Sequence, residues 1–136
     1  IPKEDVLIDP LVMPVGALPT AGRQVFQMLK MLREELGVNT VCGASNVSFG
    51  LPNRPTINAQ FLAMMIAHGM TSAITNPCEA EVRNAVYASD LLTGHDENCA
   101  TWIAATRAAS SDGSKSGSGA AAEPRRRRRS RSEATG

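Results

Sequence analysis

Three short apolar runs alternate with segments of helical pattern along most of the chain, and this order constrains the fold more than any other feature. The runs lie at Val6–Ile8, Asn39–Cys42 and Ser72–Ile74, and each has the length expected of a buried strand. Strands that alternate with helices through short connections favour a parallel sheet with right-handed crossovers. The sequence therefore predicts an α/β fold of three successive strand–helix units.

The predicted helices have recognisable starts and ends. Thr20 can cap a first helix that runs to Leu36 and stops at Gly37. Pro55 suits the first turn of a second helix, which stops at Gly69. Further helices are predicted over 78–92 and 96–108.

The end of the chain differs in composition from the rest. Residues 110–136 consist mainly of Ser, Gly, Ala and Arg, and they lack the apolar side chains that could offset the entropy of ordering them. The sequence therefore predicts a folded body over 1–109 and a disordered tail over 110–136. Residues 1–106 carry six basic and ten acidic side chains, a net of −4, whereas the last thirty residues carry a net of +5.

This charge distribution bears on partners. An acidic body offers no electrostatic footprint for nucleic acid, so a nucleic-acid function is not expected of it. The run Arg125–Arg129 in the tail could hold RNA, an anionic membrane or an acidic protein surface without specificity. A scaffold with a nucleic-acid-binding arginine tail is therefore one alternative function.

Other signals argue against membrane, secreted and metal-dependent proteins. No apolar run approaches the ~20 residues of a membrane span, and no secretory leader opens the sequence. The three cysteines, an odd number without Cys-x-x-Cys spacing, indicate reduced thiols and a cytoplasmic protein. The cluster of His95, Asp96, Glu97 and Cys99 is interpreted as a polar turn that caps the last helix, so no metal site is expected.

Polar residues follow each of the three predicted strands. Asp9 ends the first strand, Ser45 and Asn46 follow the second, and Asn76 follows the third. Because the carboxyl ends of parallel strands meet at one edge, these side chains can share a site of the kind that barrel enzymes build there. Helix capping and turn formation explain the same residues equally well, and spacing alone leaves both interpretations open.

The same positions carry a resemblance to a known family. The segments Asp9-Pro-Leu-Val-Met-Pro-Val15, Gly43–Arg54 and Ala73–Pro77 resemble the sixth, seventh and eighth strands and loops of the methyltetrahydrofolate-dependent corrinoid methyltransferases. The resemblance covers about residues 1–105. It implies that the chain is the carboxyl-terminal βαβαβα portion of a pterin-binding TIM (β/α)₈ barrel.

The resemblance also implies an activity, which is transfer of the N5-methyl group of methyltetrahydrofolate to the Co(I) of a corrinoid. Asn46 then takes the catalytic role of donating a hydrogen bond to N5, and Asp9 holds the pterin ring. Arg54, Ser45 and Ser48 match positions near the pterin.

The partners implied by the family are a corrinoid protein or domain, which carries the cobalt, and a second copy of the parent protein in a homodimer. Family members also hold the pterin from earlier strands that this sequence lacks, so the isolated chain is expected to be inactive. Dihydropteroate synthase, which shares the barrel and the pterin pocket, is the alternative enzyme.

Overall fold

In a computed structural model, residues 1–113 are described, with side chains described through residue 108. The strands are β1 (Leu7–Ile8) and β2 (Asn39–Thr40). The helices are α1 (Ala21–Met31), α2 (Arg54–Ala67), α3 (Ala80–Leu92) and α4 (Ala100–Gly113). Short 3₁₀ turns lie at Lys3–Asp5, Ala44–Ser48 and Glu97–Cys99, and a π turn at Leu32–Leu36 follows α1.

The two strands pair in parallel, as the alternating order predicts. Leu7 lies opposite Asn39 and Ile8 opposite Thr40, so the helix between the strands forms a crossover. The pairing confirms the expected parallel α/β arrangement for this part of the chain.

The third predicted strand is reduced to an isolated parallel bridge between Gly43 and Ile74. The Ile74 amide donates to the Cys42 carbonyl at 2.8 Å, so the segment does run beside β2. At its start the Ser72 amide still donates to the Thr40 carbonyl at 3.0 Å, and Ser72 Oγ donates to the same carbonyl at 2.7 Å. The Thr40 amide, however, donates to Thr71 Oγ1 at 2.8 Å instead of to a backbone carbonyl. A threonine hydroxyl thus takes the place of one backbone partner where the segment begins.

The first helix ends where the sequence predicts, although in an altered form. Gly37 adopts the left-handed conformation at φ 64°, and its amide donates to the Leu32 carbonyl at 2.9 Å. The last turn is a π turn, so the apolar residue at its end no longer lies on the same face as those of α1. As a result Leu36 is exposed, whereas Val25 and Leu29 are buried as expected.

The second helix fits its prediction closely. Arg54 and Pro55 occupy its first turn, and the left-handed Gly69 follows its end. α2 packs against α1, α3 and the Ala44–Ser48 turn. Its buried face joins a core made of residues from every layer, namely Val12, Val25, Leu29, Cys42, Ala44, Val47, Phe61, Leu62, Met65, Met70 and Val82.

The last helix follows a polar turn, which agrees with the interpretation of residues 95–99. Asp96 accepts hydrogen bonds from the Thr101 and Trp102 amides, both at 2.9 Å, and these bonds hold the pKa of its carboxyl below the ordinary value. Within the described residues no group of histidine, cysteine and acidic side chains could hold a metal ion. α4 extends to Gly113, past the predicted end at residue 108. The predicted tail from residue 114 onward lies outside the described residues.

No helix within residues 1–113 has both the length and the apolar character needed to cross a membrane.

Candidate functional site

The site is built from two loops that follow neighbouring parallel strands. One loop connects β1 to α1 and carries Asp9. The other connects β2 to α2 and carries the Ala44–Ser48 turn. The Val15 amide of the first loop donates to the Val47 carbonyl of the second at 3.0 Å. The two loops therefore lie side by side at the carboxyl edge of β1 and β2.

Asp9 is exposed at the end of β1. Its Oδ1 accepts a hydrogen bond from the Leu11 amide at 2.8 Å, which holds Leu11 in a left-handed conformation at φ 56°. The turn thereby fixes the carboxylate above the sheet edge. Oδ2 has no recorded partner among the described residues, so one oxygen remains free to accept from a ligand.

The Asp9 carboxylate also influences Cys42, which lies just after β2. Burial, with a smaller contribution from the Asp9 carboxylate, raises the pKa of the Cys42 thiol to about 11. The thiol lies in the core, with Met65 Sδ at 3.8 Å and Met70 Sδ at 4.0 Å. At neutral pH Cys42 is therefore a protonated core residue.

Asn46 is exposed on the Ala44–Ser48 turn, and its amide group lies over Gly43. A Cβ atom at Gly43 would come within 3.1 Å of Asn46 Nδ2, so glycine leaves the space that the amide occupies. A glycine within a strand often marks such a close approach. Sequence reasoning gave Gly43 no role in the site.

Arg54 is half-buried in the first turn of α2 and reaches back to the same turn. Its Nε donates to Ser48 Oγ at 3.0 Å, and its Nη2 donates to the Ser45 carbonyl at 2.9 Å. The guanidinium carbon lies 5.9 Å from the ring centroid of Phe49, which is exposed. Two of the five N–H donors of Arg54 are thus used to hold the guanidinium against this turn.

No acidic side chain within the described part of the chain forms an ion pair with Arg54. A half-buried cation with unused donors suits a ligand that presents carbonyl or carboxylate oxygens.

Ser48 is fully buried, and its hydroxyl links Arg54 at the start of α2 to Asn58 one turn further along the same helix. Ser48 Oγ donates to Asn58 Oδ1 at 2.7 Å while it accepts from Arg54. Asn58 is 3% exposed on the apolar face of α2. Sequence reasoning missed it, although a polar residue at helical spacing from Phe61, Leu62 and Met65 was a usable signal.

Asn76, the third candidate position, serves as a turn former in the structure. Its Oδ1 accepts from the Cys78 amide at 3.0 Å, and its Nδ2 donates to Glu79 at 3.3 Å. These bonds precede α3, and they agree with the capping interpretation of this residue.

Comparison with known proteins agrees with this architecture. The sequence profile of a family described as pterin binding enzyme matches residues 1–76, more than half of the chain. The chain belongs to the pterin-binding enzymes. The similarity also reaches the corrinoid methyltransferases that the sequence motifs resemble: the chain is 36% identical over 70 residues to the methylcorrinoid:tetrahydrofolate methyltransferase of Eubacterium limosum.

The alignment covers 52% of this chain and 26% of the relative, so the chain spans about a quarter of the length of that protein. The pterin-binding family implies a TIM barrel, of which the parallel βαβ arrangement seen here is one part.

Proposed function

We propose that this chain supplies the carboxyl-terminal strand–helix units of a pterin-binding barrel that transfers a methyl group between N5 of a tetrahydrofolate and a corrinoid. The observation that carries the proposal is the joining of the Asp9 and Asn46 loops at the carboxyl edge of parallel β1 and β2. The likeness to a methyltransferase supports methyl transfer over the dihydropteroate synthase alternative.

Asp9 holds the pterin. Its free oxygen, and Oδ1 after a small shift of the Leu11 turn, accept hydrogen bonds from the ring N–H and the amino group of the pterin. A charge-assisted pair of this kind fixes both the position and the rotation of a planar ring. Arg54 supplies its unused donors from the neighbouring loop, and Ser45 and Ser48 hold the arginine.

Asn46 acts on the reacting nitrogen. When the N5–methyl bond breaks, its electron pair stays on N5 and the methyl group passes as a cation equivalent to the corrinoid's Co(I). A donor N–H on N5 is worth most as that electron pair develops, so it lowers the barrier more than it strengthens binding. The amide of Asn46 can donate this bond without carrying a charge.

The relative's name states the reaction in the opposite direction, from a methylcorrinoid to tetrahydrofolate. A catalyst lowers the same barrier both ways, so the hydrogen bond from Asn46 serves either direction. The cobalt belongs to a corrinoid protein or domain, which we propose as the partner. Homodimer formation and a cytoplasmic location remain part of the proposal.

The test is a calorimetric titration of methyltetrahydrofolate, paired with the rate of methyl transfer to Co(I) cobalamin, both measured on the complete barrel that contains this chain. We expect Asp9→Ala to weaken binding about 10–100-fold, since a charge-assisted hydrogen bond contributes about 1.5–3 kcal/mol. Asn46→Ala should bind nearly as the unchanged chain does and lose about 100-fold in rate.

Asp9→Asn is the matched control for charge, because it keeps the size of the side chain. Unchanged pterin binding in Asp9→Ala would contradict the assignment of Asp9. A loss of binding in Asn46→Ala equal to its loss of rate would contradict a transition-state role for Asn46.

A further inference from the structure

We infer that Asn58, a buried residue of α2, is a positioning residue that fixes the guanidinium of Arg54 through the hydroxyl of Ser48. The three side chains form one relay from the core to the candidate site, with bonds of 2.7 Å and 3.0 Å. The role of Arg54 in binding rests on the proposed function, whereas the relay itself does not.

Chemistry determines the direction of the first hydrogen bond in the relay. A guanidinium can only donate, so Ser48 Oγ must accept from Arg54 Nε. In the structure the Asn58 carbonyl oxygen faces Ser48 Oγ at 2.7 Å, closer than the Ser45 carbonyl at 3.3 Å. The hydroxyl proton of Ser48 is therefore donated to Asn58.

Burial of Ser48 and Asn58 favours this arrangement over hydrogen bonds to water. Ser48 is 0% exposed and Asn58 is 3% exposed, so water cannot readily replace either partner. A buried polar group that loses its partner retains the full cost of its desolvation. The relay thus has one low-energy arrangement, and that arrangement holds Nε of Arg54 in place.

The relay also connects the two halves of the site. Arg54 bonds to the Ser45 carbonyl through Nη2, and Ser45 directly precedes Asn46 in the same turn. The Arg54 stem rises from the first turn of α2, one helical turn before Asn58. Fixing the arginine from the core therefore fixes the turn that carries the proposed catalytic amide.

The experiment measures the exchange with water of the Arg54 Nε–H proton by ¹⁵N NMR on the full chain, with the resonance assigned by Arg54→Lys. Asn58→Leu removes the acceptor and should speed this exchange at least about tenfold, as expected for a bond worth ~1.4 kcal/mol or more. Asn58→Asp keeps an acceptor oxygen at the same place and should preserve the slow exchange.

Ser89→Ala serves as the control, because Ser89 is also a buried helical side chain, 6% exposed, whose hydroxyl bonds only within α3. Ser48→Ala removes the relay at its centre with little change of volume, and should match Asn58→Leu. Unchanged Arg54 exchange in either Asn58→Leu or Ser48→Ala, or an equal change in Ser89→Ala, would overturn the inference.

A second measurement separates the relay from the proposed function. Methyltetrahydrofolate should bind about tenfold more weakly to Asn58→Leu and normally to Asn58→Asp. If the exchange result holds and pterin affinity does not change, the relay stands and the binding role of Arg54 fails. If exchange does not respond, the relay fails whatever the affinity.

Discussion

At the residue scale, the chemistry of the candidate site depends on small residues and buried partners as much as on the polar side chains themselves. Gly43 leaves room for the Asn46 amide, and Ser48 and Asn58 hold Arg54. Asp9, Asn46 and Arg54 can be proposed from the sequence because they stand at strand ends or match family motifs. Asn58 contacts Ser48 in another element, which the order of residues does not display, and Gly43 lies close to Asn46 within one loop.

One prediction concerns Gly43. In the complete barrel, Gly43→Ala should lower the rate of methyl transfer about tenfold with little loss of stability, because its φ of −74° suits alanine while the new Cβ would lie 3.1 Å from Asn46 Nδ2. Gly16→Ala is the control, since a Cβ there meets Leu51 at 3.5 Å, an ordinary contact. An unchanged rate in Gly43→Ala would show that the amide position does not matter to the reaction.

A second prediction concerns Cys42. Its thiol has a pKa of about 11 in the fold against 9.0 as the ordinary value, so the unfolded chain loses this proton at lower pH than the folded chain. The resulting stabilisation is complete below pH 9 and is lost as the pH rises toward 11. Urea unfolding between these limits should show a decrease of at most about 1.4 kcal/mol per pH unit.

Cys42→Ala provides the reference for that measurement, because other groups also titrate in alkali and their contribution is shared by both proteins. The pH dependence should be shallower in Cys42→Ala. Equal slopes would contradict a buried, protonated thiol.

At the element scale, helix ends in this chain depend on glycines in left-handed conformations. Gly37 and Gly69 follow the predicted helix ends at φ 64° and 92°. Their surroundings differ, because nothing lies within 4 Å of a Cβ built at Gly37, whereas one at Gly69 would lie 2.9 Å from Arg33 Cγ. The sequence indicates both helix stops but not this difference.

The two glycines give a paired prediction. Gly37→Ala should cost about 1 kcal/mol of unfolding free energy, the usual penalty for a left-handed alanine. Gly69→Ala should cost more, because the Arg33 stem must also move. Chemical denaturation measures both, and Arg33→Ala combined with Gly69→Ala should recover part of the excess, since it removes Cγ and leaves the residue 33 Cβ at 3.1 Å. Equal losses in the two glycine variants would show that the Arg33 contact is unimportant.

The strands show where element prediction fails. The apolar runs correctly locate all three segments, yet the third forms a single bridge, and at its start the Thr40 amide bonds to the Thr71 hydroxyl instead of to a backbone carbonyl. Similarly, the apolar stripe of the first helix is disrupted by a π turn at Leu32–Leu36. Both departures arise from hydrogen-bond choices that periodicity does not encode.

At the scale of the whole molecule, the sheet leaves apolar side chains exposed. Leu7, Leu11 and Ile74 are 57%, 70% and 69% exposed. Parallel sheets normally have both faces covered, and unpaired edge strands invite association. In the barrel that we propose, further strands would cover surfaces of this kind.

We therefore predict that the chain self-associates in solution. Sedimentation velocity over a range of concentrations should show species larger than the monomer, and Ile74→Thr should reduce them because it removes apolar surface without altering β propensity greatly. Leu92→Thr is the control, since Leu92 is 84% exposed at the end of α3 and belongs to neither strand. A monomer that unfolds in one sharp transition would contradict the prediction.

The alternation of strands and helices, the helix ends at Gly37 and Gly69, and the family could all be predicted from the sequence, because periodicity, turn residues and motifs are local properties of the chain. The joining of the Asp9 and Asn46 loops and the support of Arg54 by Asn58 through Ser48 became evident only in the folded structure. These outcomes depend on which buried polar groups find partners across separate elements. Such pairing is set by packing in three dimensions, and residues far apart in the chain share no local signal that reveals it.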